Sequence, residues 1–563
     1  MFILEWLLTR IGFVFAFLVT PWLATRATAP QADRVETLAR AALAALLLNI
    51  VVPLVLFAGA FPVSPLAIAT GHLLIGLPAV LLFRRRKTPL LPPGSPDDRI
   101  PLLLAALWTL LAMPVTYLAG IDTYKWQDLA DMTALEHTIP WLIHPLSLFG
   151  LTPGACPAAQ PLVLASAQML SGVYVDGGYA VVSILSALLG VTASACLARR
   201  LFNDSRLVNW AVLLYAFSPV FARYNHWATG RGLFLALLPL FVLALLEPRP
   251  LRRFGRGVLC GIGLLLCHKA ALVAVVLYPL SMAGAHAWPR RLRGRGTIWT
   301  GAGLAFLVAL FLVRPRFFSG ATGAVAGLFY TMTVRFGIAA PLALLALWPR
   351  SSMDTSPWPA LFTALLPLGI LAVGPMYGAM AALPIVVLFA ARGLHVGQTW
   401  PGGLRRIIHT GVTCLALLSA CGIVTLRSLH ATPASIRDIA RCLQQHDPQG
   451  PFRIDAPDPI RTRIQAYVQG SPRFHYGAET HPRFRVRPPP KLIQAPGRLF
   501  DDWTAWLRNI FVVSGVDFAR YGKSPVVYAI RARGTGLPPP RSQSLYESGD
   551  IVLYGPEHNE DNP

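Results

Sequence analysis

The chain has 563 residues, of which 54% are hydrophobic and 13% charged, with a mean hydropathy of +0.53. A soluble globular protein carries about 25% charged residues, so this composition excludes one and points to a polytopic α-helical membrane protein, without the short alternating strands of a barrel. The formal charge of +23 would suit nucleic acid, but most basic residues fall in short loops between apolar runs, as the positive-inside bias places them, so no nucleic-acid partner is expected.

The first apolar run, from Phe2 to Leu23, has neither the basic start nor the small-residue cleavage site of a signal peptide and reads as a retained span. Glu5 and Arg10 leave its orientation open between spanning and interfacial. Runs of about 20 residues, the length that crosses a bilayer, follow at 39–60, 64–83, 101–119, 179–198, 207–222, 233–247, 297–313, 337–349, 358–374, 379–394 and 407–426. The total expectation is about 11–14 transmembrane helices. Five basic clusters separate them: Arg84 to Lys87, Arg199-Arg200 with Arg206, Arg249 to Arg256, Arg290 to Arg295, and Arg405-Arg406. With all five assigned to the cytoplasm, the spans alternate without conflict once Gly257 to Trp288 is two short helices turning at His268-Lys269. The loop from Gly120 to about Gly178, the segment Arg223 to Arg231, Arg314 to Arg335 and everything after Arg427 then face outward.

That loop holds the scarce residue type. Of 26 acids in the chain, about 13 precede residue 427, and Asp122, Asp128, Asp131 and Glu136 are four of them. A carboxylate where a membrane helix surfaces is costly, and is a functional-site hypothesis by default. His137 and His144 nearby read as surface or packing residues. The seven cysteines show no metal or redox spacing.

Two domains are expected: residues 1–426 in the membrane and 427–563 as a small α+β extracytoplasmic domain. In the second, Ser435 to Gln445 has helical spacing, and Phe511-Val512-Val513, Val526 to Ile530 and Ile551 to Tyr554 read as strands.

Several stretches together carry a family resemblance. Gly120-Ile121-Asp122-Thr123 opens an outer loop on an acid after a span. Pro161 to Leu170 reads as a helix lying along the membrane. Arg199 to Asp204 forms a basic cytoplasmic turn, and the next span reaches Ser218-Pro219. A short outer turn, Arg223 to Gly232, precedes the span Leu233 to Leu246, and the paired short helices of Gly257 to Leu280 meet at His268-Lys269. In order and spacing, over about two thirds of the chain, this resembles the GT-C superfamily of membrane glycosyltransferases. The chain departs from relatives in carrying Gly230-Arg231 where many have an acid, and Lys125 and Gln127 where some have acids or a His.

The resemblance implies transfer of a sugar from a polyprenyl-phosphate donor to a glycan, lipid or protein acceptor outside the cytoplasm, in a bacterial-type inner membrane, with inversion at the sugar carbon. Asp122 would be the base, with Asp128 and Asp131 as additional acids. Lys269, His268, Arg231, Arg223, His226, Arg314 and Arg335 would supply the positive groups for the departing phosphate, and Tyr377 and Tyr124 would line the pocket. No cofactor is expected. A divalent cation bridging Asp122 and phosphate has one carboxylate in its support, where hard cations want several oxygen ligands, so no metal is assigned. The other readings are a flippase for lipid-linked saccharide, which would carry inverted repeats and mid-membrane polar residues, and a non-catalytic scaffold in envelope polysaccharide assembly.

Overall fold

The computed structural model describes residues 2–112, 156–172, 176–272, 335–345, 375–396, 401–429 and 434–446, strands within 452–455, 474–475, 526–532 and 543–558, and single positions between them, among them Gln127 and Asp131. The spans expected at 297–313 and 358–374 lie outside these residues.

Capping chemistry sets the helix starts. Helix α1 (Phe2–Val14) runs through a π-helical turn (Phe15–Val19) into α2 (Thr20–Thr28), so the first span is five residues longer than its apolar run. Asp33 caps α3 (Arg34–Ala58), accepting the Glu36 N–H at 2.8 Å. Ser64 caps α4 (Pro65–Arg85), whose first residue is a proline with no N–H to lose. Next come α5 (Arg99–Ala112), α6 (Ala159–Ser171) and α7 (Asp176–Leu201). Asp204 caps α8 (Ser205–Ala216), and Ser218 with Pro219 starts α9 (Pro219–His226), bent 51° from α8. After these lie α10 (Gly230–Leu245), α11 (Pro250–Cys267), α12 (Ala339–Leu345), α13 (Pro375–Val396) and α14 (Gly402–Leu429). Among the described residues four helices, Ile3–Thr28, Arg34–Ala58, Pro65–Arg85 and Gly177–Leu201, are long and apolar enough to cross a membrane, and the bent pair makes a fifth.

The bundle sorts its polar ends. At one end Arg86 donates to the Ala27 carbonyl, Arg199 pairs with Asp33 at 2.9 Å and with Asp98 at 2.8 Å, Arg256 pairs with Glu247 at 2.6 Å, and His395 approaches Asp204 at 3.7 Å. These contacts gather the α2, α7, α10 and α13 C-termini with the α3, α5, α8 and α11 N-termini. The Arg84–Lys87, Arg199–Arg200 and Arg249–Arg256 clusters therefore share one face of the molecule, the basic end. Helix α14 starts there, with His409 packed on Trp210 at 5.1 Å. It then runs alongside α8, its Ser419 hydroxyl donating to the Phe217 carbonyl at 3.1 Å. The chain thus leaves the helical bundle at the opposite end.

One feature was not legible in the sequence. Thr20, Asn49 and His72 are fully buried between α2, α3 and α4, and Asn49 donates to the Ala45 carbonyl at 2.8 Å. The two His72 ring nitrogens find no hydrogen-bond partner among the described residues. Asn49 also reaches the Ala16 carbonyl of the π-helical turn at 3.4 Å.

After α14, α15 (Ala434–His446) and five strands form a second core. The strands are β1 (Phe452–Asp455), β2 (Phe474–His475), β3 (Val526–Ala532), β4 (Ser544–Ser548) and β5 (Ile551–His558), in the order β2-β1-β3-β5-β4. Strand β1 is parallel to both neighbours, and β5 is antiparallel to both of its own. Ile436, Ile439, Ala440 and Leu443, the face predicted from spacing, pack on Ile454, Ile530 and Leu553. The strand expected at Phe511–Val513 lies outside the described residues.

Candidate functional site

At the end opposite the basic one, three backbones meet. The α9–α10 turn is tight: Ala228 adopts a left-handed conformation (φ 44°), and the Gly232 N–H returns to the Thr229 carbonyl at 2.8 Å. Gly230, the first residue of α10, has no room for a Cβ because the Cys267 carbonyl occupies that position. At Gly232 the Tyr224 carbonyl lies 2.6 Å from where a Cβ would sit. Two glycines thus let the start of α10 press against the end of α11 and against α9. The amide of Gln160, at the start of α6, donates to the Ala228 carbonyl and closes the corner.

Around this corner stand most of the described cations expected at a phosphate. The Arg223 guanidinium lies 4.1 Å over the Trp227 ring and that of Arg231 5.3 Å over Tyr224, so both are held by aromatic faces. Helix α11 ends at Cys267 and His268 is extended (φ −162°), so the break falls at the expected residue. The His268 Nδ1 accepts the Ala270 N–H at 3.0 Å, which leaves the ring proton on Nε2. Burial, with Arg231 and Lys269 beside it, pushes the His268 pKa down to about 3, so the ring is neutral. Burial also lowers the Lys269 pKa, with Cys156 acting in the other direction. Two residues after Arg335, Gly337 (φ 60°) packs on the Pro219 ring at the start of α9. His226 is buried behind the turn. The segment Arg223 to His226, expected as a loop, is the end of a helix, because Ser218 and Pro219 start one seven residues before Asn225.

Helix α6 crosses the bundle at this end. Its Gln160 meets the α9–α10 turn, and its last turn meets α1, where Arg10 donates to the Leu170 carbonyl at 2.7 Å. The sequence placed it along the membrane; residues 159–170 are buried throughout, so neighbouring helices cover it.

The acid-bearing loop returns to the same end. The His137 carbonyl accepts the Val63 N–H, just before α4, at 2.7 Å. Asp131, expected as an additional acid, is buried and accepts a hydrogen bond from the Gln127 amide at 2.6 Å. Gln127 in turn accepts from Gln168 of α6 at 3.0 Å. Asp122, Tyr124, Asp128 and Arg314 lie outside the described residues, as does the side chain of Tyr377 within α13. Among the described residues no three His, Cys, Asp or Glu side chains converge to hold a metal. Gln160 and Gln168 were not singled out from the sequence; an amide inside an apolar helix such as Ala159–Ser171 was the signal.

No family model matches the chain, and no curated protein matches its sequence. The fold does have a counterpart. The crystal structure of ArnT from Cupriavidus metallidurans in the apo state superposes with a TM-score of 0.50 at 15% identity, over 81% of this chain and 97% of that one. The chain has the GT-C fold. The Archaeoglobus fulgidus oligosaccharyltransferase, in complex with zinc and sulfate, is also similar, at 14% identity over 66% of this chain and 62% of that one, with a TM-score of 0.39.

Proposed function

We propose that this protein is a membrane glycosyltransferase that moves a sugar from a polyprenyl-phosphate donor to a glycan, lipid or protein acceptor on the extracytoplasmic side. The observation that carries this reading is the gathering of Arg223, Arg231, His268 and Lys269 around the Gly230–Cys267 contact, at the end away from the basic loops. Cations held where a membrane helix begins suit a lipid-borne phosphate, and the positive-inside bias puts the other end in the cytoplasm. The C-terminal α+β unit then lies outside, since α14 delivers the chain to the cation end.

The chemistry needs a base, a leaving-group anchor and exclusion of water. The acceptor hydroxyl oxygen attacks the anomeric carbon and its proton passes to the Asp122 carboxylate. The bond from that carbon to the phosphate oxygen breaks, and the electron pair leaves with the lipid phosphate, where Lys269 and Arg231 balance its charge. Neutral His268 offers an Nε2–H to the same oxygens. The packed turn and the buried α6 close the corner to bulk water.

The test is loss and restoration. Deleting the protein should remove one sugar from an envelope glycan or lipid, and mass spectrometry should show the unused polyprenyl-phosphate sugar accumulating. The wild-type chain should restore the product. Asp122→Asn should not, with turnover down by about 10² to 10⁴, the usual contribution of a positioned base. Full turnover by Asp122→Asn would remove Asp122 from the mechanism.

A further inference from the structure

Three buried polar side chains form a directed ladder at the far part of α6, eight residues on from the Gln160 that meets the cation corner. Gln127 is fully buried, Gln168 is 3% exposed and Asp131 is 6% exposed. The Gln168 Nε2 donates to the Gln127 Oε1 at 3.0 Å, and the Gln127 Nε2 donates to the Asp131 Oδ1 at 2.6 Å. An ionised carboxylate only accepts, so Asp131 fixes which way the Gln127 amide faces. That orientation presents the Gln127 oxygen to Gln168, whose amide must then donate. Every link is set by the one before it, because turning either amide over would set oxygen against oxygen or N–H against N–H, so the ladder tolerates a single register.

The register matters because of what each end holds. Gln168 belongs to α6, which Gln160 fastens to the α9–α10 turn eight residues earlier. Gln127 lies five residues after Asp122 in the chain, on a short helical stretch anchored by buried Leu129 and Ala130. A shift of α6 is therefore passed to that stretch through the Gln168–Gln127 hydrogen bond.

We propose that Gln127 is a positioning residue for the transfer reaction. Through Asp131 and Gln168 it holds the stretch from Gln127 to Asp131 against α6, the helix that Gln160 ties to the cation corner. This inference rests on the glycosyltransferase reading. It gives Asp131 an orienting role in place of an acid–base one.

The test uses the full chain in detergent, with the polyprenyl-phosphate sugar that accumulates in the deletion strain as probe. Gln127→Leu should lower kcat by about ten- to a hundredfold, the scale of a misplaced reacting group, while donor KM stays within about threefold. Gln127→Glu carries the decisive signature. Two carboxyls at that spacing pair only by sharing a proton, so its activity should be low near pH 8 and recover as the pH falls toward 6. Gln127→Leu should show no such recovery. If Gln127→Leu fails to fold, Gln168→Leu, which cuts the far link alone, should lower kcat in the same direction. Unchanged kcat in both leucine variants would overturn the proposal, as would a Gln127→Glu profile parallel to wild type. Should Asp122→Asn keep full turnover while the Gln127 variants lose it, the base assignment falls and the ladder stands. An inactive Asp122→Asn beside a fully active Gln127→Leu sinks the ladder alone.

Discussion

Arg199 clamps the basic end, and the cost of removing it can be worked from its contacts. One guanidinium nitrogen meets Asp33 at 2.9 Å; the other meets Asp98 at 2.8 Å and the Asp97 carbonyl at 2.9 Å. The two acids differ. The Asp98 side chain is 3% exposed, while that of Asp33 is 34% exposed. Arg199→Met strands the Asp98 carboxylate, which keeps the Ser95 N–H at 2.9 Å. Breaking a buried pair from one side costs about 3–5 kcal/mol; the retained N–H bond and the partial exposure of Arg199 bring this to roughly 2–4 kcal/mol. Asp33→Asn should cost about 1 kcal/mol or less, since its pair is solvated and Asn caps a helix as well as Asp does. The informative variant is Arg199→Met with Asp98→Asn. With no charge left buried, it should be more stable than Arg199→Met alone by about 1–2 kcal/mol. Thermal or SDS-driven unfolding of the purified protein in mixed micelles measures all three against wild type. A double variant less stable than Arg199→Met, or Arg199→Met within about 0.5 kcal/mol of wild type, would refute the assignment of Asp98 as a buried, dependent carboxylate.

The remaining predictions concern the cation corner. Gly230→Ala should destabilise by about 1–3 kcal/mol, because its methyl meets the Cys267 carbonyl, backbone that no rotamer change can move. Gly255→Ala, on α11 with open space around it, should instead gain up to about 1 kcal/mol from helix propensity; equal effects in unfolding experiments would contradict the close approach at Gly230. Lys269 gives a pH dependence. Its pKa is lowered by burial, so the ammonium that we propose holds the phosphate is lost on the alkaline side before an ordinary lysine would lose its charge. Undecaprenyl phosphate binding should therefore weaken as pH rises through that lowered value. Lys269→Arg, which stays charged, should move the weakening to higher pH; identical pH profiles would exclude Lys269 from the contact.

The sequence made local events legible and distant ones opaque. The break at His268 rests on a turn within a few residues and stands where the pattern put it, whereas the helix start at Ser218-Pro219 divides a run that reads as one span. The shared end of the arginine clusters follows from alternation of apolar runs. The Asp33–Arg199–Asp98 clamp spans more than a hundred residues in both of its pairs, and no periodicity encodes which acid an arginine will find. Gln127 entered the sequence reading only as a departure from relatives, because an amide's value depends on partners that folding brings. The π-helical turn left no mark, since a single inserted residue barely disturbs an apolar run.

Helix α10 is only 16 residues long, about 24 Å at 1.5 Å per residue, whereas bilayer hydrocarbon is about 30 Å thick. Leu233 to Leu238 are fully buried by neighbouring helices, so the shortfall of roughly 6 Å is met by protein and not by the bilayer. A helix sheathed in this way need not match the hydrocarbon thickness, and its first residue, Gly230, is free to stop against the Cys267 carbonyl, short of the surface that a lipid-facing helix would have to reach.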